Sequence, residues 1–314
     1  MHPAPNVITT SDTAHQVPGR VPADGEAALQ RRLALVTGAN SGVGKETTRA
    51  LAREGWSVVM LCRSLDRGRA TLEEIRAEDL PGTLHLRRLD LDDLDQVREA
   101  AAEIGAWLDE TDQEVGALVN NAGVYRAELE RTAQGFERTL GVNHLGHFLF
   151  TLLLEAKLRR GGVRIVNVSS EGHRRGKLLR RPLAEIFQGR GRYGGVQAYC
   201  DSKLANVLFT EELQRRWGSD GVSVAAVHPG TLATAIWDRN PTLLMWIIGK
   251  LKRFMGDPQD GGRYVARLVH DVPPRELEGA YFNRDRRDPA EAPAGDPEFA
   301  AALWRFSEEA TGLA

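Results

Sequence analysis

The sequence predicts a single α/β domain: a doubly wound, mostly parallel sheet of seven strands with helices on both faces. Two observations carry this. From about residue 31 onward, short apolar runs alternate with segments of helical pattern, the signature of βαβ units. Three glycines stand directly after the first apolar run and directly before the first helix, where such folds turn their backbone toward a ligand. No internal repeat or linker divides the 314 residues, so the domain runs over 31–314. Residues 1–30 are polar and Pro-rich and are expected to form a disordered or loosely packed arm.

The elements follow in order. Leu33-Ala34-Leu35-Val36 is a continuous apolar run, as in a strand buried on both faces. A helix follows the glycine turn, runs through Leu51 and stops near Gly55. Ser57–Leu61 is the second strand. Thr71–Ala77 has helical character, and Pro81-Gly82 breaks it. Leu84–Leu89 is the third strand, Leu94–Leu108 a helix, Ala117–Asn120 the fourth strand. Helical pattern returns from about Gln134 to Arg159, followed by a fifth strand at Val163–Val168. A helix from about Val196 to Trp217, a sixth strand at Val222–Val227 and a seventh at Gly279–Phe282 complete the series. Right-handed crossovers make this a doubly wound sheet, whose ligand crevice lies at the C-terminal ends of the strands.

Composition excludes several functions. Lys and Arg total 41 against 43 Asp and Glu, without the net basic charge of a nucleic-acid-binding domain. The two cysteines, Cys62 and Cys200, lack metal-ligand spacing and indicate a reducing, cytoplasmic compartment. The N-terminal segment lacks the apolar core of a signal peptide. No stretch reaches the roughly 18 apolar residues that a membrane span needs. His144 and His147 have no third ligand nearby, so they are expected to pack or lie at the surface, and no metal is expected.

The turn "TGANSGVGKE" places Gly38, Gly42 and Gly44 with the spacing Gly-x3-Gly-x-Gly. Glycines permit a tight turn and close approach to a pyrophosphate, and the helix N-terminus adds free N–H groups and positive dipole. Thr37, Ser41 and Val43 belong to the same turn. The fold is thus Rossmann-type. In "AYCDSKLANVLF", Tyr199 and Lys203 stand one helical turn apart. A free tyrosine has a pKa near 10, and an adjacent cation lowers it by favouring the phenolate. The pair therefore reads as an acid/base catalyst and the cation that tunes it.

Four motifs in order resemble the short-chain dehydrogenase/reductase family: Thr37-Gly38-x3-Gly42-x-Gly44, Asn120-Asn121-Ala122-Gly123, Tyr199-x3-Lys203 and Pro229-Gly230. "NHLGHF", "RIVNVSS", "AYCDSKLANVLF", "VHPG" and "LWRFSEE" resemble its retinol-dehydrogenase-like branch. The long segment between Ser170 and Tyr199 also fits that branch. The resemblance implies that Ser170 orients the substrate, with Ser169 the lesser candidate, and that Asn143 holds a water linking Lys203 to solvent. It implies that Asp90 and Leu91 border the adenine, and that Asn121, Ala122 and Gly123 approach the ribose and nicotinamide. Pro229, Gly230, Thr231 and Thr234 would serve the nicotinamide end.

NAD-preferring enzymes end strand two with a carboxylate. Here Cys62 stands in that place and Arg63 follows, which suits a 2′-phosphate. NADP(H) is the expected cofactor, with NAD(H) second. The substrate loop spans about 231–262, and its apolar run Leu243–Ile248 is expected to cover an apolar substrate, the alternatives being a core helix and contact with a membrane surface or partner. By resemblance, the two long helices pair with a second subunit as a homodimer through Phe148, Leu152, Leu208 and Leu213. The expected activity interconverts a small apolar alcohol and its aldehyde or ketone. The alternatives are reduction of an activated C=C bond and a non-catalytic NADP(H)-sensing regulator.

Overall fold

The structure, a computed structural model, describes residues 33–230, 257–289 and 295–314. The N-terminal arm, most of the expected substrate loop with its run 243–248, Thr231 and Thr234 lie outside the described residues.

β1 (Leu33–Thr37) shows why the first run is apolar throughout. Leu33 and Leu35 enter the core on one face of the sheet, and Ala34 and Val36 enter the core on the other. A strand covered on both faces has no polar side to show. Around β1 lie β2 (Ser57–Cys62), β3 (Leu84–Arg88), β4 (Val115–Asn120), β5 (Arg164–Val168), β6 (Ser223–His228), β7 (Ala280–Asn283) and β8 (Arg286–Arg287). Their order is β3-β2-β1-β4-β5-β6-β7-β8. All pairs are parallel up to β7. The order reverses between β1 and β4, which opens a crevice at the C-terminal ends of those two strands.

Among the described residues the sheet has eight strands and not the expected seven. β8 is two residues long and pairs antiparallel with β7, Phe282 opposite Arg287. Its arginines are exposed, so it carries no apolar alternation by which a sequence could reveal it.

On one face pack α1 (Gly42–Arg53) and α2 (Leu65–Arg76). On the other packs α3 (Leu94–Glu110). α2 starts well before Thr71, because Ser64 caps it and its first turn holds Asp66, Arg67 and Gly68 with little apolar periodicity.

The expected helix from Gln134 to Arg159 is broken into pieces. Arg131 and Glu137 form a β-bridge. Glu137 then caps the short α4 (Arg138–Leu140), accepting from the N–H groups of Thr139 and Leu140 at 3.0 and 2.8 Å. A π-turn over Gly141–Leu145 leads into α5 (Gly146–Leu153), and α6 (Glu155–Leu158) ends the run. Past β5, two 3-10 turns and α7 (Leu183–Phe187) form the long segment before α8 (Gly195–Trp217).

α9 (Pro258–His270) occupies the end of the expected substrate loop, so residues 258–262 are its first turn. α10 (Pro274–Leu277) leads to β7. The last helix, α11 (Pro297–Thr311), carries complete start and stop signals. Asp296 accepts from the N–H groups of Glu298 and Phe299, Pro297 follows it, and Gly312 closes the helix in the left-handed region.

α11 lays Trp304 against Phe148 and Phe209, with ring centroids 5.0 and 5.9 Å apart, while the Arg216 guanidinium sits 4.3 Å above the indole. Phe148, Leu208 and Leu213, on which the dimer expectation rests, are therefore completely buried within a single chain. Leu152 is partly buried against the same core. Replacing a buried aromatic by alanine costs about 3–5 kcal/mol. Trp304→Ala is expected to lose that much in chemical denaturation. A loss under 1 kcal/mol would mean that α11 does not cover this face.

Candidate active site

Thr37, the last residue of β1, joins the two strands that flank the crevice. Its Oγ1 accepts the N–H groups of Asn121 and Ala122, each at 2.9 Å. The Asn121 amide donates to the Thr37 carbonyl at 2.8 Å. The approach is close enough that a Cβ on Gly38 would stand 2.9 Å from Ala122 Cα, and Gly38 holds φ +66° besides. Gly44 does not line the cleft. It packs beneath the turn, where a side chain would overlap the Gly38 carbonyl and the Asn121 amide.

His147 completes this joint. Its Nδ1 lies 3.0 Å from the Asn143 carbonyl and its Nε2 lies 2.9 Å from Thr37 Oγ1. A carbonyl only accepts, so Nδ1 carries the proton and Nε2 accepts from the Thr37 hydroxyl. With its proton directed at His147, the hydroxyl has its lone pairs free for Asn121 and Ala122. Burial pushes His147 down to about 4, so the ring stays neutral. His144 is also buried and meets Ser307 Oγ at 2.9 Å. Both histidines pack as the sequence suggests, and His147 also orients the strand ends.

The cleft above this joint has a volume of about 360 Å³. Thr37, Gly38, Ser41, Gly42 and Val43 line it, with Arg63, Asp90, Leu91, Asn121, Ala122, Gly123, Pro229 and Gly230. Ser41 caps α1 without a side-chain hydrogen bond, and no acidic residue stands in the first turn, so the N-terminal N–H groups keep their positive field. Arg63 and a second guanidinium, Arg67, line the same end. Neither has an ion-pair partner among the described residues. Cys62 is fully buried beside the turn, and burial pushes its thiol up to about 12.

At the other end stand Ser170, Tyr199 and Lys203. Tyr199 is hydrogen-bonded to Ser170, which lowers its pKa, but burial outweighs this and raises the phenol to about 12. Lys203 Nζ lies 5.6 Å from the Tyr199 ring centroid and donates to the Val168 carbonyl at 3.0 Å. The sequence predicts that Lys203 tunes the phenol. In the structure burial is the largest influence on the phenol, and the Lys203 ammonium stands beside its ring. Burial also brings Lys203 itself down to about 8.

Asn143 sits behind the cleft in the π-turn. Its Oδ1 accepts from Val124 N–H at 2.8 Å, and its Nδ2 donates to the Val124 carbonyl and to Ser202 Oγ, both at 3.0 Å. Ser202 in turn donates to the Tyr199 carbonyl at 2.8 Å. The resemblance implies a water held by Asn143; its side-chain amide ties the loop after β4 to α8. Ser169 Oγ donates to the Lys203 carbonyl at 2.8 Å, so this serine is anchored to the helix.

The sequence reading missed Arg67, Tyr125, Arg126 and His228, all of which line the cleft. Tyr125 meets the Tyr199 ring edge-on at 6.3 Å, and Arg126 pairs with Glu130 at 3.0 Å. His228 is the last residue of β6, and its position at a strand's C-terminal end was the signal available for it. Among the described residues no group of three or more potential ligands gathers to hold a metal.

Lys203 generates a stability prediction. Its folded pKa of about 8 lies below the unfolded value. Below pH 8 the free protein thus carries a penalty on the order of 3 kcal/mol, which is relieved as pH rises toward about 10. Lys203→Met is expected to melt above the parent at pH 7 and to lose the stability gain between pH 8 and 10. Thermal melts at both pH values check this, and a variant less stable than the parent at pH 7 would contradict it.

A short chain dehydrogenase family model matches residues 32–179. Retinol dehydrogenase 11 of Mus musculus is 37% identical over 91% of this chain and 88% of its own length. Retinol dehydrogenase 12 of Homo sapiens is 38% identical over 91% and 88%. Among solved structures, an uncharacterized protein from Mycobacterium paratuberculosis superposes with a TM-score of 0.67 at 33% identity, covering 90% of this chain and 94% of that one. A short chain dehydrogenase from Burkholderia cenocepacia in complex with NADP gives 0.62 at 26% identity, covering 82% and 97%. With the glycine turn, the strand-four joint and the Tyr199–Lys203 helix assembled around one crevice, this chain belongs to the short-chain dehydrogenase/reductase family, in its retinol-dehydrogenase-like branch, as an oxidoreductase of alcohols and carbonyl compounds.

Proposed function

We propose that the protein is an NADP(H)-dependent oxidoreductase that interconverts an apolar alcohol and its aldehyde or ketone, with Tyr199 as acid/base. The observation that carries this reading is the hydrogen-bonded Tyr199–Ser170 pair beside the buried Lys203 at one end of the cleft.

The donor set fits a phosphorylated dinucleotide. The open N-terminus of α1 suits a pyrophosphate. Arg63 and Arg67 suit a 2′-phosphate, with no carboxylate at Cys62 to repel it. Asp90 and Leu91 border the adenine side, and the backbone at 121–123 borders the ribose and nicotinamide. Thr231 and Thr234 are assigned to the nicotinamide end from the sequence alone. Bound in the cleft, the nicotinamide supplies or accepts the hydride. Tyr199 gives its hydroxyl proton to the substrate oxygen in reduction and takes it back in oxidation. Ser170 Oγ is placed to hydrogen-bond the same oxygen as charge develops on it. Lys203 brings positive charge to the wall of the cleft, available to ligand hydroxyls. Asn143 acts by holding the Val124 loop against α8.

An apolar substrate is supported by the relatives named as retinol dehydrogenases, since retinol is a long apolar alcohol. The buried, unpaired Cys62 and Cys200 agree with a reducing, cytoplasmic compartment. Among the described residues no helix is long and apolar enough to cross a membrane.

Tyr199→Phe is expected to leave NADPH affinity within about twofold and to cut turnover by a factor on the order of 10². Turnover within threefold of the parent would remove Tyr199 from the reaction. Arg63→Ala and Arg67→Ala are each expected to weaken NADPH binding about tenfold, the scale of a charge-assisted hydrogen bond, while NADH binding stays nearly constant. Fluorescence titration of both nucleotides checks this, and parallel losses would show that neither guanidinium reads the 2′ position.

A further inference from the structure

His228 ends β6 at the edge of the cleft, between the Val168-Ser169-Ser170 strand end and Pro229-Gly230. Its backbone carbonyl accepts from Arg284 N–H at 2.8 Å. Its imidazole makes no hydrogen bond among the described residues, although His228 is only 6% exposed. The other imidazoles buried in this core each make at least one hydrogen bond to the protein: His147 through both nitrogens, to Thr37 and Asn143, His144 through Nε2 to Ser307, and His173 through Nδ1 to the Ser170 carbonyl. The ring lines the cleft, and with no hydrogen bond to a described residue its donor and acceptor are open to a partner from outside the protein.

The pleat sets where the ring points. Ala225 and Val227 enter the core on the α1 face, and Ala226 enters the core beneath α8. His228 alternates with Val227 and so shares the face of Ala226, Lys203 and Tyr199. The charged and titratable groups in its surroundings are Glu171, Arg284, His173 and Lys203. Burial is the main influence on the ring, pushing it down to about 4, so it is neutral at physiological pH. A neutral imidazole has one donor and one acceptor. An anionic group at this end would be drawn to the Lys203 ammonium instead.

We propose that His228 is a specificity-determining residue at the reacting end of the cleft, where its imidazole hydrogen-bonds a neutral polar group of the bound ligand. The inference rests on the oxidoreductase reading above. Two sources offer that chemistry: the carboxamide of the nicotinamide, and a hydroxyl or second carbonyl beside the reacting carbon of the substrate.

Three measurements on His228→Leu and His228→Gln test it. They are the melting temperature of the free protein, the Kd of NADPH without substrate, and kcat/KM for two apolar ketones that differ only by a hydroxyl next to the carbonyl. The free His228→Leu protein is expected to melt at or above the parent temperature, because no protein hydrogen bond is lost. A ligand arm is expected to lose at least tenfold, with part of the loss recovered in His228→Gln, whose amide can still donate and accept. Loss in the NADPH Kd assigns the carboxamide. An unchanged Kd with a collapsed preference between the two ketones assigns the substrate.

The proposal is overturned if both arms stay within threefold of the parent. It is equally overturned if the melting temperature falls and all activities fall together, since His228 is then a packing residue. If the parent turns over no ketone or alcohol at all, the oxidoreductase reading fails, and the nucleotide arm decides alone: an unchanged Kd overturns the assignment of His228.

Discussion

One hydroxyl holds the functional end of this protein together. Thr37 Oγ1 takes two backbone N–H groups from the turn after β4 and gives its proton to His147. β1 and β4 are the strands between which the sheet order reverses. A crevice at that place needs two strand ends held at fixed separation while the chains they lead into diverge. The Thr37 side chain and the absence of a Cβ on Gly38 set that separation, and the cleft walls follow from it.

The same joint reaches the Tyr199 end of the cleft. His147 holds the Asn143 carbonyl, and the Asn143 amide ties Val124 to Ser202, one turn from Tyr199. The π-turn at Gly141–Leu145 makes room for this by displacing the usual helical hydrogen bonding where Asn143 turns inward. Glycine turn, strand-four loop and α8 thus share one set of hydrogen bonds, and a shift in any of them is felt in the others.

Electrostatics at the two ends of the cleft differ. At the Arg63 end, exposed guanidiniums and an open helix terminus offer charge in contact with water, suited to capturing an anion. At the Tyr199 end, burial raises the phenol to about 12 and lowers the ammonium to about 8, so the phenol is neutral and the lysine is still charged at neutral pH, each shifted toward its neutral form. A group poised in this way responds strongly to any ligand that excludes water or brings charge.

The sequence by itself determined the order of the first seven strands, the central strand and the glycine turn, because buried parallel strands and glycine turns leave short local patterns. It also determined the Tyr199–Lys203 spacing, which one helical turn dictates. Tertiary structure decided what depends on residues far apart in the chain. The tautomer of His147 is set by Thr37, 110 positions away, and by the bend at Asn143. β8 exists only because β7 lends it an edge. α11 had legible caps, yet the apolar face it covers became visible only when Trp304 met Phe148 and Phe209. The phenol's environment was likewise beyond the sequence: spacing puts a cation near Tyr199, but burial, a property of everything packed around the site, is what raises its pKa.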